Sequence, residues 1–429
     1  MMDAEALYQA IDSTFYDDLL HSINPVRRWF HHNRYAIVNS LVKSFWEPGA
    51  RIADLGSGSC TWNENRLPVT GVDYNAGLLS YGLDRGRLAD YRVADIQHTG
   101  LPDESCEIVV ASDVMEHLQR PQRLLAEICR ILRPGGACVL SVPYDTPLSA
   151  WAPLFLMHRL YMGYVRDSAY YREGCGHLQH FSPASVRELL AGSGLQLELL
   201  FSWHRLSLFL VARKPGPQRP RPLTDLTLVL VRERAGADAG HTLRKLEARY
   251  PGARALVVSR DGGRRGTTAA ILDALDRLQT PFAVVVAGPA PGDLGCLGRL
   301  YNQVRLNGTL SVAVRPRLHH PPPGGNGLAG RLVNMPLKAA LHYYGKQVPR
   351  EVTSGILGLA AGFCRRVVHR RRRHFTPHGN SFLFELLRLC DAGTDVETVF
   401  CSHATSLPLA PAQSLLSTFL INPVYRPSI

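Results

Sequence analysis

Two short stretches carry the residue types best suited to chemistry: Arg51-Ile-Ala-Asp-Leu-Gly-Ser-Gly-Ser-Cys60 and, shortly after, Val69-Thr-Gly-Val-Asp73. Ile52 to Leu55 reads as a short buried strand, and Gly56-Ser57-Gly58 as the tight turn that leaves it. Glycine suits such a turn because a Cβ would hold the backbone away from a ligand and forbid positive φ. A second run, Val69 to Val72, ends in Asp73, whose carboxylate can accept hydrogen bonds from two ribose hydroxyls. In open α/β sheets ligands bind at the carboxyl ends of the strands. Together the two signals imply an adenosine-containing ligand and nothing narrower.

More polar residues fall at the ends of later apolar runs. Asp95 closes Tyr91-Arg-Val-Ala-Asp95, and Cys106 to Ser112 reads as a fourth strand with Asp113 directly after it. Glu116-His117 comes just beyond. His177 and His180 lie in Gly176-His-Leu-Gln-His-Phe-Ser-Pro183, and either can serve as a base near neutral pH or simply pack or cap a helix.

The elements that must position these groups alternate. A helical lead-in is read in Ala4–Ala10 and Asn33–Lys43 from apolar residues at helical spacing. After the third and fourth strands comes a helix over Leu124–Leu132, stopped by Arg133-Pro-Gly-Gly136, then a fifth strand over Ala137–Val142. A helix over Pro183–Ala191 and strands near Leu195–Phe201 and Ser207–Arg213 complete the unit. Such alternation predicts a parallel sheet with helices on both faces.

Over about residues 40–214 these motifs resemble, in order, those of class I S-adenosylmethionine-dependent methyltransferases whose first motif is D-x-G-x-G. Ile52–Gly58 matches the first motif and Thr70-Gly-Val-Asp73 the second; Val93-Ala-Asp95 matches the third. Glu107–Leu118 matches the fourth strand with its D-V-x-E-H-L exit, and Leu132-Arg-Pro-Gly-Gly136 the turn before the fifth. The resemblance implies a seven-stranded Rossmann-like domain with S-adenosylmethionine as cofactor. It assigns Asp73 to the ribose, Asp95 to the adenine amine, and Asp54 with the Gly56–Gly58 loop to the methionyl end. Ser112 and Asp113 would lie where the methyl donor meets the acceptor. Transfer is a direct displacement on carbon, so the protein must align acceptor, methyl and sulfur and, for a hydroxyl acceptor, remove a proton.

Two departures stand out. Cys60 occupies the place where the family often has a third glycine. Only Gly56 to Pro68 separates the first two strands, close to the minimum for a crossover, so a truncated helix is expected there. A nicotinamide-binding Rossmann domain would share the glycines and the acidic strand end, but it does not predict the Asp95 or Asp113–Leu118 signals. The base is open: His117 belongs to a fold signature as much as to chemistry, and His177 and His180 compete with it. The aromatic-rich insert Trp151–Tyr171 reads as an acceptor lid or as a helix pair on the domain surface. Val142-Pro143-Tyr144 is not the N-P-P-Y motif of amino-methylating enzymes, which disfavours adenine or glutamine acceptors.

With 429 residues the chain can form two or three domains, each with a core. Up to Lys214 there are 20 Lys and Arg against 23 Asp and Glu, net −3; beyond it 28 against 13, net +15, which together give the overall +12. A basic second half implies an anionic partner: a phosphorylated acceptor, acidic lipid headgroups or nucleic acid. Nine cysteines, none in a C-x-x-C pair, read as scattered free thiols of a cytosolic protein. No secretory signal is visible at the N-terminus, and no apolar run approaches the ~20 residues of a membrane span.

Lys214–Pro222 is a proline-rich linker. After it come strand Leu226–Val231, helix His241–Arg249, strand Ala253–Ser259, helix Thr268–Leu278 and strand Phe282–Ala287. Helices are also expected over Leu328–Tyr344 and Phe382–Leu389, with a loop at His319–Asn326. This half more distantly resembles family 2 glycosyltransferases of the polyprenyl-phosphate sugar synthase type, through Ser259–Thr267, Thr353-Ser-Gly355 and Ser381–Leu387. That family's metal-binding D-x-D is absent, since the place reads Val284-Val-Val-Ala-Gly-Pro-Ala290, and without paired acidic oxygens a hard cation has little to hold it. Arg365-Arg366 and His369–His374 form the densest basic cluster, either a solvated loop or a phosphate- or membrane-facing surface. It lacks the aromatic interleaving of nucleic-acid binders. The pairs His31-His32 and His319-His320 lack metal-ligand spacing, and no metal is expected.

The expected organisation is a lead-in over 1–48, a methyltransferase domain over 49–214, a linker over 215–222 and a basic, degenerate GT-A-like α/β domain over 223–429. The expected function is O-directed methyl transfer to a small molecule or cell-envelope glycan or glycolipid, in the cytoplasm or at the inner membrane face. The rivals are a bifunctional methyltransferase–glycosyltransferase and a non-catalytic scaffold with a vestigial cofactor pocket.

Overall fold

In the computed structural model the described residues are 8–9, 11–146, 149–165, 167, 177–217, 220–232, 237–259, 266–287, 294–314, 355–372, 375, 382–391 and 394–400. The chain divides into two compact units, Met1–Gln218 with Pro316–His319, and Arg219–Arg315 with His320–Ile429.

The first unit opens with helices α1 (Phe15–Leu20) and α2 (Pro25–Phe45). The start of α2 follows from its sequence: the Asn24 side chain accepts from the Val26 and Arg27 backbone N–H groups, and Pro25 occupies the first turn. The lead-in is therefore helical over other limits than expected. Asn33–Lys43 lies within the longer α2, while Ala4–Ala10 falls largely outside the described residues.

Strands β1 (Ile52–Leu55), β2 (Val69–Asp73), β3 (Asp90–Val93), β4 (Cys106–Ser112), β5 (Leu132–Pro143), β6 (Gln196–Trp203) and β7 (Ser207–Arg213) form one sheet in the order β3-β2-β1-β4-β5-β7-β6. β1 pairs in parallel with both β2 and β4. The chain thus winds outward in both directions from β1, and the crevice at the β1/β4 carboxyl ends is the switch point where open sheets bind ligands. β7 runs antiparallel between β5 and β6. Among the described residues of this unit the other α-helices are α3 (Ala76–Asp84), α4 (Pro121–Ile131), α5 (Trp151–Leu160) and α6 (Pro183–Ala191). Leu124, Leu125, Ile128 and Ile131 of α4 pack on Val109, Ala111, Leu140 and Val142 of the sheet. Cutting one such leucine to alanine costs about 2–5 kcal/mol.

Several limits differ from those expected, among them β3 at Asp90–Val93 instead of Tyr91–Asp95 and α4 at Pro121–Ile131 instead of Leu124–Leu132. β5 begins at Leu132, because the Arg133–Gly136 stretch pairs onward, with Gly135 N–H donating to Lys214 O and Lys214 N–H to Gly136 O. Between β1 and β2 no helix forms, and turns carry the crossover. Asn63 substitutes for helical order there: its side chain donates to Leu67 O and Arg87 O and accepts from Leu67 N–H.

The second unit holds β8 (Leu226–Arg232), β9 (Arg254–Ser259), β10 (Phe282–Ala287), β11 (Leu310–Val314), β12 (Ile356–Ala360) and β13 (Val396–Phe400), in the order β13-β11-β12-β10-β8-β9. β8, β9 and β10 are parallel, and β12 is antiparallel to both β10 and β11. α7 (Ala237–Arg249), α8 (Thr267–Asp276), α9 (Gly295–Asn307), α10 (Ala361–Cys364) and α11 (Phe382–Leu389) accompany them. The helix expected over Leu328–Tyr344, the His319–Asn326 loop and most of Ser259–Thr267 and Thr353–Gly355 lie outside the described residues. The expectation that all cysteines are free is corrected: Cys296 is disulfide-bonded, while Cys60, Cys106, Cys129, Cys138, Cys364 and Cys390 are free.

Candidate functional site

The carboxyl edge of β1, β2 and β4 gathers most of the polar residues singled out from sequence. β1 delivers Asp54, buried at 2% exposure, and the chain then turns through Gly56 (φ +73°) and Gly58 (φ +50°). Both glycines are required by space as well as by φ. A Cβ on Gly56 would lie 2.3 Å from Val114 Cγ1, and one on Gly58 2.6 Å from Tyr16 Cε2. Cys60, at the place of the family's third glycine, takes φ +49° despite its side chain.

Asp54 points under this loop. Its Oδ2 accepts from the Trp62 indole N–H at 2.8 Å, and burial pushes its pKa up to about 7 even though Trp62 and the Cys60 thiol both hydrogen-bond to it. Asp73 ends β2 and is equally buried. Its Oδ1 accepts from Asn75 N–H at 2.9 Å, and its Oδ2 from Gly58 N–H at 2.8 Å and from the Tyr8 hydroxyl at 3.0 Å. Burial raises its pKa, and those donors pull it back. Asp95 sits on the turn after β3, half-exposed, with Oδ1 accepting from Gln97 N–H at 2.8 Å and His98 Nδ1 3.6 Å from Oδ2.

At the β4 exit the Ser112 and Ser141 hydroxyls share a hydrogen bond of 2.8 Å. Asp113 has φ +54°, its N–H donating to Ser141 O. Its carboxylate pairs with Arg34 of α2 at 2.9 Å. Glu116 follows in a short 3₁₀ turn, 1% exposed, with its Oε2 unpartnered. Burial, with Asp113 adding to it, holds the Glu116 carboxyl well above its ordinary pKa.

The histidines arrive from another segment. Leu178 and Gln179 N–H both donate to Glu116 O at 2.7 and 3.0 Å, so residues 177–180 are laid against the β4 exit. The His177 ring lies 5.0 Å from that of His117 and stacks on Phe155 at 5.1 Å. Burial, then His117 and His180, press His177 down to about 3, leaving it neutral. His180 is placed differently: it is exposed, and its Nδ1 lies 2.7 Å from Asp145 Oδ2. Contrary to the expectation of no metal-ligand set, Glu116, His117 and His177 offer ligand atoms all within 4.8 Å of one another, a group that could hold a cation.

Tyr8, Tyr16, Arg34, Trp62, Asn75 and Asp145 were not foreseen. Asn75 carries a legible signal, a side-chain acceptor two residues past a strand-end Asp that caps α3 through Leu78 N–H. Tyr8 and Arg34 carry none, because the contacts they make join positions far apart in sequence.

Residues 53–140 match the family model for a methyltransferase domain. The ubiquinone biosynthesis O-methyltransferase of Xanthomonas axonopodis pv. citri is 30% identical over 190 residues, which is 42% of this chain and 72% of that protein. The malonyl-[acyl-carrier protein] O-methyltransferase of Serratia marcescens is 33% identical over 98 residues, 22% of this chain and 38% of the relative. Among solved structures, phosphoethanolamine N-methyltransferase 2 of Haemonchus contortus aligns with 50% of this chain and 61% of its own, at 17% identity and a TM-score of 0.37. The chain belongs to the methyltransferase family. It is an S-adenosylmethionine-dependent methyltransferase, and S-adenosylmethionine is its cofactor. The non-catalytic scaffold reading falls with that assignment. Among the described residues no helix is long and apolar enough to cross a membrane.

Proposed function

We propose that the chain methylates an oxygen atom of its acceptor, a small molecule or a cell-envelope glycan or glycolipid, with His180 as the base. The observation that carries this reading is the 2.7 Å contact between His180 Nδ1 and Asp145 Oδ2 on a segment tied to Glu116. A hydroxyl is a poor nucleophile until its proton leaves, and a carboxylate on one imidazole nitrogen fixes the tautomer that presents the other as acceptor. The O-methyltransferase names of the two sequence relatives support an oxygen acceptor.

The cofactor supplies an electrophilic methyl on a sulfonium. In this reading Asp73 accepts from the ribose diol, and Asp95 or its neighbouring amides meet the adenine. The Gly56–Gly58 backbone lies along the methionyl end, and Asp54 acts through the loop by holding Trp62 and Cys60. Ser112 and Asp113 border the transfer position, with Arg34 balancing the Asp113 charge. His117 and neutral His177 shape the acceptor side. The proton removed from the hydroxyl passes to His180 Nε2, and Asp145 stabilises the imidazolium.

The second unit would hold an anionic, phosphate-bearing acceptor or an anionic membrane surface. Arg365, Arg366 and Arg370 are exposed, which supports this, whereas Arg371 and Arg372 are committed to Asp391, Asp273 and Asp276. A screen of the purified full chain for acceptor-dependent S-adenosylhomocysteine release tests the proposal. Turnover only with hydroxyl acceptors is the expected result, and turnover only with amines would defeat it.

A further inference from the structure

The surroundings of Asp73 hold more donors than a ribose site can keep. Its carboxylate accepts from the backbone N–H of Gly58 and Asn75 and from the Tyr8 hydroxyl. An ionised carboxylate has about four lone-pair sites, and these three donors leave about one. A ribose diol brings two more donors. The two backbone donors belong to the glycine turn and to the exit of β2 itself, and cannot leave without dismantling the edge. The Tyr8 hydroxyl is the only one on a separate segment, sixty-five positions away in the chain. That segment is fastened a second time by Asn75, whose side-chain N–H donates to Tyr8 O at 3.1 Å. Next along it, Tyr16 lies against Gly58, and Asp17 accepts from Arg87 at 2.7 Å and from the Tyr81 hydroxyl at 2.9 Å.

We propose that Tyr8 is a latch on the ribose site: its hydroxyl occupies Asp73 in the resting protein, and S-adenosylmethionine must displace it to bind. The inference rests on the reading of Asp73 as the ribose acceptor. Binding then couples to release of the segment that leads into α1, and the latch lowers affinity by the fraction of molecules it keeps closed.

Calorimetry of S-adenosylmethionine binding to the full chain, with Tyr8→Phe and Asp73→Ala side by side, tests both layers. Tyr8→Phe removes one hydroxyl and keeps the ring, so it should tighten binding about three- to tenfold, the equivalent of one lost competing hydrogen bond. It should also speed association in stopped flow. Asp73→Ala should weaken binding. If Asp73→Ala weakens binding while Tyr8→Phe leaves it unchanged or weakens it too, the latch is wrong and Tyr8 is neutral or a cofactor ligand. If a folded Asp73→Ala binds as well as the parent, the ribose assignment fails, and the latch with it.

Discussion

Both units are built from parallel strands joined by helices, yet their sheet edges differ in kind. In the first, β1 carries Asp54 next to its last residue, β2 ends in Asp73 and Asp113 directly follows β4, with Asp54 and Asp73 buried. In the second, the parallel strands β8, β9 and β10 end in Arg232, Ser259 and Ala287. Val284, Val285, Val286 and Ala287 are all buried, and among the described residues none of the last residues of this parallel trio is a carboxylate. Burying a carboxylate is costly unless donors satisfy it, and the first unit supplies those donors from its glycine loop, Trp62 and Tyr8. The same α/β grammar therefore makes a polar binding edge only where the sequence both places acids at strand ends and surrounds them with donors.

The largest test of that contrast is at the base. His180→Ala should lower kcat by about 100- to 10,000-fold, the usual contribution of a positioned general base, with S-adenosylmethionine affinity unchanged. Asp145→Asn should alter the pH profile of kcat/KM while leaving the fold intact. A His180→Ala enzyme with undiminished turnover would move the base to His117 or His177.

Next in size is the cost of burying Asp54. Its pKa is about 7 in the folded protein against an ordinary 3.8. The folded state therefore holds a proton that the unfolded state has released, and stability falls as pH rises from about 4 through about 7. The group should withdraw about 2–4 kcal/mol over that window. Asp54→Asn can still accept from Trp62 but does not titrate, so its denaturant midpoint should overtake that of the parent between pH 5 and pH 8. Parallel curves for the two proteins would mean that Asp54 is charged throughout and satisfied by other donors.

How far all this could be read in advance depends on the distance over which each feature is determined. β4 and β10, Cys106–Ser112 and Phe282–Ala287, are continuous apolar runs between turn residues, and their limits were legible. So was α6, where Ser182 and Ser185 cap each other's backbone and Pro183 opens the helix. The start of β5 was not, because Pro134 and Gly135 read as punctuation while the pairing that overrides them comes from Lys214. The first turns of α2 were hidden for another reason. Arg27, Arg28, His31 and His32 interrupt the apolar spacing, and only the Asn24-Pro25 pair marks the start. At the site, Asp73 was legible as a strand-end acid, whereas Tyr8 and Arg34 act through contacts with no local pattern.

A smaller effect is expected at Asp73 itself. Asp73→Ala should weaken S-adenosylmethionine binding by about 1.5–3 kcal/mol, the range for hydrogen bonds to a charged group. The fold should survive, because Asp73 has no ionic partner among the described residues. The variant also frees Tyr8, so protection of the Tyr8 segment in hydrogen exchange should fall in parallel. Loss of affinity with that segment still protected would show Tyr8 held by Asn75 alone.

The smallest expected effect is none, and it probes the second unit directly. A sugar transferase that uses a nucleotide sugar needs paired acidic oxygens at a strand end to hold magnesium or manganese, hard cations that take oxygen ligands. β10 ends in Ala287 after three buried valines, β8 in Arg232 and β9 in Ser259. Adding either metal with nucleotide sugars to the full chain should therefore release no nucleoside diphosphate above background, while methyl transfer continues. Metal-dependent release abolished by Asp293→Asn or Asp261→Asn, two positions outside the described residues, would erase the contrast between the units. It would mean that the second edge recruits its acids from loops instead of strand ends.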